Sequence, residues 1–169
     1  MGEIANSWLS RKKRILAGIA VPVLVAAWWA FRPEKLWINA KVNEPAPFSS
    51  SADLQPVYTG LLAGRAHPTS GRASIYQTPD GKRYLRLMDF TTSNAPDVHV
   101  LLAQSSDENL GQDFVKGDLK SVELGLLKAN QGDQNYDLPD SAALSTYDTV
   151  VIYCERFHVV FGLAKLDKF

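Results

Sequence analysis

Ala73-Ser74-Ile75-Tyr76-Gln77-Thr78, then Pro79-Asp80-Gly81, then Tyr84-Leu85-Arg86-Leu87-Met88-Asp89-Phe90 is the stretch whose reading decides the fold. Two short runs rich in β-branched and aromatic residues stand on either side of a Pro-Asp-Gly turn signal, which reads as strand, turn, strand. Working outward, Val57–Ala63, Val98–Gln104 and Thr149–Glu155 have the same character, and His158–Leu166 reads as a last strand. Ser70-Gly71 and Ser93-Asn94-Ala95-Pro96-Asp97 punctuate them. Leu119–Asn130 is ambiguous, because Leu119, Val122 and Leu126 would also line a helix. Gly125 weakens a helix, so a strand is favoured there. Short strands at regular spacing predict an all-β domain, an antiparallel β-sandwich or barrel-like fold, over residues 56–169.

N-terminal to this domain the pattern changes. Residues 15–31 carry no charge, and Arg11-Lys12-Lys13-Arg14 precede them. As a helix this stretch spans about 26 Å, near the lower limit for a ~30 Å hydrocarbon core. Trp28 and Trp29 sit where an interfacial aromatic belt belongs, and Arg32 closes the span. The expectation is one transmembrane helix over 15–31 in the plasma (inner) membrane, with 1–14 in the cytosol and the β-domain extracytoplasmic. A cleaved signal peptide is the rival; the apolar stretch exceeds its usual length, and Val25-Ala26-Ala27 is a loose cleavage site. A buried core helix is the plainer alternative, opposed by the all-round apolar surface. Residues 32–55 hold Pro33, Pro45, Pro47 and Ser49-Ser50-Ser51, which read as a stiff, partly extended spacer.

From Arg32 onward there are 14 basic and 17 acidic residues, a net charge of −3. With no basic patch interleaved with aromatics, nucleic acid is not an expected partner. The partners expected are the lipid bilayer, through 15–31, and an unknown redox or protein partner. Cys154 is the only cysteine, so no intrachain disulfide forms and a Cys-x-x-Cys-His haem attachment is excluded. The chain has no Gly-rich phosphate loop, no Gly-x-Ser-x-Gly elbow and no His-Glu-x-x-His. Asp89 and Asp97 are the available acid/base pair, but both adjoin strand ends and turns, where aspartate ordinarily caps backbone. Nothing here identifies an enzyme.

The order of motifs from Thr59 to Leu166 resembles the DM-thirteen domain, which occurs with DOMON domains and in single-domain bacterial proteins. The matching residues are Gly64 with His67-Pro68-Thr69-Ser70-Gly71, Leu85-Arg86-Leu87 with Asp89-Phe90, and Ala95-Pro96-Asp97-Val98-His99-Val100. Leu124-Gly125-Leu126-Leu127-Lys128, Gly132, Gln134, Tyr136 and Pro139 follow. Val150-Val151-Ile152-Tyr153-Cys154-Glu155-Arg156-Phe157 looks like the family's cysteine hairpin. Ala95 departs from the usual glycine, and Tyr153 stands where an aromatic, often tryptophan, is usual. The resemblance implies a redox or electron-transfer role through the cysteine, as a bare thiol or with a bound prosthetic group such as haem.

Cys154 is therefore the candidate redox thiol, and Cys154 with His158 the candidate cofactor-binding pair. If Glu155-Arg156-Phe157 form a tight hairpin loop, Cys154 and His158 become cross-strand neighbours about 5 Å apart. In a continuous strand they would lie about 13 Å apart. The paired geometry would let the imidazole or Arg156 favour the thiolate. The bland alternative is a buried cysteine packed as a small hydrophobe, with His158 solvated at the rim. His67, His99 and Met88 are the other side chains able to serve as axial ligands to haem. Two functions follow: a membrane-tethered redox module, or a non-catalytic binding or interaction domain with Cys154 in its core.

Overall fold

The computed structural model of the chain describes residues 18–29, 38–47, 55–104 and 120–169. The chain divides into two compact units, Met1–Lys35 and Leu36–Phe169.

In the first unit, residues 18–29 form a helix, α1. Among the described residues no helix is long and apolar enough to cross a membrane. The twelve residues of α1 rise about 18 Å, short of the bilayer core. The transmembrane helix expected over 15–31 is thus not borne out; its two ends lie outside the described residues.

The second unit is a sandwich of two five-stranded sheets whose ladders all run antiparallel. Its strands are β1 (Tyr58–Leu61), β2 (Ala63–Gly64), β3 (Ser70–Gln77), β4 (Arg83–Thr91), β5 (Val98–Ala103), β6 (Ser121–Leu126), β7 (Gln134–Leu138), β8 (Thr149–Cys154), β9 (Val159–Lys165) and β10 (Asp167–Lys168). One sheet has the order β10-β1-β3-β4-β7 and the other β2-β9-β8-β5-β6. The expected sandwich and the strand choice at Leu119–Asn130 agree with this architecture. The Pro79-Asp80-Gly81 signal closes the β3–β4 hairpin, where Gly81 has φ +87° and Thr78 N–H donates to the Lys82 carbonyl at 2.9 Å.

Period-two alternation builds the core. Ala73, Ile75, Leu85 and Leu87 from one sheet meet Val98, Val100, Leu102, Val150, Ile152 and Cys154 from the other. All six residues of β8 are nevertheless buried. Its odd-numbered residues Val151 and Tyr153 join Leu101, Ala103, Val160 and Leu163 in a second apolar cluster. Since successive side chains point to opposite faces of a sheet, Tyr153 and Cys154 face opposite sides of β8.

Strand β7 was not anticipated, because Gln134, Asn135 and Asp137 are poor strand formers. Its fully buried Gln134 is hydrogen-bonded through both ends of its side-chain amide. Its amide nitrogen donates to the Ala129 carbonyl at 2.8 Å, and its Oε1 accepts from the Tyr136 hydroxyl at 2.8 Å and Lys128 N–H at 3.1 Å.

The segment read as a stiff, partly extended spacer is in part a strap along the domain. Lys41 bridges Gln131 in parallel, Val42 N–H donates to the Gln131 carbonyl at 3.1 Å, and Glu44 N–H to the Asp133 carbonyl at 2.9 Å. Lys128 Nζ grips both Glu44 carboxylate oxygens, at 2.7 and 2.9 Å. Arg86 donates to the Glu44 carbonyl at 3.1 Å and to Asp133 at 2.7 Å. Proline and serine content signals an extended chain, and an extended chain is equally able to add itself along a sheet.

Candidate functional site

Strands β8 and β9 join through Glu155, Arg156, Phe157 and His158, all exposed. The loop has four residues rather than three, so Cys154 pairs with Val159 and not with His158. The expected cross-strand Cys154–His158 pair is corrected on this point. The reason lies in the turn: His158 N–H donates to the Glu155 carbonyl at 3.3 Å, and His158 adopts φ +52°, which keeps it in the loop. A register shift between Ile152 and Tyr153 leaves Phe161 as the extra residue and sets Cys154 opposite Val159, where the unshifted ladder would give Val160.

Cys154 has no exposed surface. Its ladder partners are Val98 and Val159, and it belongs to the inter-sheet core. On the other face of β8, the Tyr153 hydroxyl and Nδ1 of His158 are 3.0 Å apart. Burial, with the charges of Glu155 and Cys154 added, raises the pKa of Tyr153 above its ordinary value. A prosthetic group held jointly by Cys154 and His158 does not fit this geometry, since the thiol faces the core and the imidazole binds the tyrosine on the opposite side.

The other sequence candidates lie apart from the thiol's surroundings. The His67 ring packs on Phe161, centroids 3.9 Å apart. Met88 is half-buried on β4, and Asp89 is exposed with φ +50°. Among the described residues, no three His, Cys, Asp or Glu side chains are grouped to hold a metal ion. A cleft of about 340 Å³ is lined by Gly64, Pro68, Thr69, Ser70, Thr91, Thr92 and Ser93, with neither thiol nor imidazole among them.

One arrangement escaped the sequence reading. His99, opposite Tyr153 in the ladder, is clamped between two carboxylates: Nδ1 is 2.6 Å from Glu123 and Nε2 is 3.2 Å from Asp97. Burial works against its charged form, but the hydrogen bonds and charges of Glu123 and Asp97 outweigh it and raise the pKa. Asp97, just before β5, and His99 on it are two residues apart and were legible as a pair. Glu123 was not, because the β5–β6 register contains a shift between Val100 and Leu101. Asp97 thus works with His99 rather than with Asp89.

Fold and hairpin together define an antiparallel β-sandwich with a lone cysteine at the end of a central strand. A family model described as "Electron transfer DM13" matches residues 62–166. The chain belongs to this electron-transfer DM13 family, as the motif order from Thr59 to Leu166 led us to expect. Neither a curated protein nor a solved structure matches the chain.

Proposed function

We propose that the chain is a single-pass membrane protein whose β-domain serves electron transfer outside the cytosol, with Cys154 as its redox thiol. The observation that carries this reading is the electron-transfer family match, which spans the cysteine hairpin. The uncharged stretch 15–31 and the four basic residues before it support the anchor and its orientation. The thiol sits at the base of an exposed four-residue hairpin, so a local opening of that hairpin brings it to solvent. There the Cys154 thiolate attacks a disulfide of the partner, forms a mixed disulfide and releases one partner thiolate. With a single cysteine the chain stops at that stage, and a donor dithiol of a second protein resolves the bond: one donor thiolate attacks the Cys154 sulfur and releases the remaining partner thiolate, then the donor's other thiolate closes the donor disulfide and frees Cys154, so two electrons pass from donor to partner.

A second reading has its own support: zero exposure of Cys154 favours a structural cysteine in a non-catalytic interaction module. Alkylation of the native protein separates the two. The redox reading expects labelling at a rate set by hairpin opening, and a mixed disulfide on non-reducing gels that Cys154→Ser abolishes. A thiol reactive only in denaturant, with no mixed disulfide, overturns it. The serine variant would then lose about 1–3 kcal/mol by burying a hydroxyl in an apolar site. For the anchor, a reporter active only outside the cytosol, fused after Phe169, is expected to be active. Activity of a cytosol-only reporter at the same place refutes the orientation.

A further inference from the structure

The outer face of β8 carries a second group suited to one-electron chemistry. The Tyr153 ring is 3% exposed, in a cluster with Leu101, Val151, Val160 and Leu163. Its hydroxyl lies 3.0 Å from Nδ1 of His158, within reach for proton transfer along a hydrogen bond. His158 itself is exposed, so a proton received at the ring has a route to water. The backbone holds His158 at φ +52°, a left-handed conformation in which asparagine, aspartate and histidine are the commoner non-glycine residues. Asparagine therefore suits the same backbone but lacks the imidazole's proton-accepting nitrogen.

We propose that Tyr153 and His158 form a tyrosine–imidazole redox pair, in which Tyr153 passes one electron to a one-electron acceptor as its phenolic proton moves to His158. The tyrosine O–H bond breaks and an N–H bond forms at Nδ1, leaving a neutral phenoxyl radical and an imidazolium. Re-reduction by one electron returns the proton to the oxygen. Moving the proton in the same step avoids a phenol cation in an apolar cluster, where an isolated charge is costly. The apolar neighbours keep water from the radical. Cys154 points to the other face of β8, so the pair operates without the thiol. This inference rests on the electron-transfer reading only for its physiological acceptor.

The test uses the full-length chain in detergent, oxidised by flash-generated tris(bipyridine)ruthenium(III) and followed by phenoxyl absorbance and electron paramagnetic resonance. Wild type is expected to form a long-lived phenoxyl with a solvent deuterium isotope effect. Tyr153→Phe removes that component, although five other tyrosines remain. His158→Asn, which tolerates the left-handed backbone but takes no proton, slows radical formation at least tenfold and abolishes the isotope effect. Circular dichroism checks that each variant is folded. If Tyr153→Phe fails that check, His158→Asn decides alone. If His158→Asn fails it, His158→Gly, which suits the backbone better still, takes its place. Unchanged yield, rate and isotope effect in the folded variants overturn the proposal. Cys154→Ser is expected to keep the radical, so failure of the thiol reading and failure of this one are told apart.

Discussion

Replacing Gly132 by alanine separates two costs that the structure lets one calculate. Gly132 has φ +96°, and its N–H donates to the Phe90 carbonyl at 2.8 Å, which holds the backbone in that conformation. A β-carbon there would lie 1.9 Å from the Val42 carbonyl oxygen and 2.5 Å from Asn43 Oδ1. No side-chain rotation relieves the first contact, because Val42 O is backbone. The strap must move away, losing the bonds from Val42 N–H to Gln131 and from Glu44 N–H to Asp133. Positive φ costs an alanine about 1–2 kcal/mol, and two backbone hydrogen bonds are together worth about 1–3 kcal/mol net. A loss of about 2–5 kcal/mol in urea unfolding, followed by circular dichroism, is the expectation. Gly81→Ala is the control: φ is +87°, but nothing lies within 4 Å of the added β-carbon, so it reads the backbone cost alone. Hydrogen exchange should show the Val42 and Glu44 amides deprotected in Gly132→Ala and protected in Gly81→Ala. Equal stability loss in both variants, with both amides still protected, would refute the reasoning.

Gln134→Leu should cost about 2–4 kcal/mol, because it leaves the Tyr136 hydroxyl proton and the Ala129 carbonyl without their buried partner and Lys128 N–H with only its longer bond to Tyr136; a urea midpoint within error of wild type would contradict this. The His99 clamp predicts a pH dependence. Its folded pKa is raised, so its stabilisation is complete below the ordinary histidine value of about 6.5 and fades as pH climbs through the folded pKa. The stability difference between wild type and His99→Gln should shrink as unfolding is repeated from pH 6 to pH 9, and a difference that grows would reverse the assignment. Glu44 behaves oppositely: burial raises its pKa, but Lys128, the Asn135 amide and Arg86 together lower it. The strap should therefore loosen as pH falls below 4.5 through the folded pKa, seen as a lower protection factor at the Val42 amide relative to its intrinsic exchange rate, and equal protection factors at pH 3 and pH 6 would argue against the ion pair.

Alternating burial and turn chemistry are local properties, and they determined most of this domain. Pro79-Asp80-Gly81 marked a turn that closes as a hairpin, and β4 placed Leu85 and Leu87 inward with Arg86 outward. The single cysteine and the motif order pointed to the hairpin after β8. What spacing alone left open was the length of that loop. Three or four residues between Cys154 and its partner differ by one step, and one step in a strand moves a side chain to the other face. The four-residue turn, with His158 in the αL conformation, made that choice, leaving Cys154 opposite Val159 in the core and His158 beside Tyr153. Strand β7 and the docked strap were hidden for a related reason. Gln134 and Glu44 are stabilised by Lys128, Tyr136 and Arg86, partners that come close only once the chain is folded.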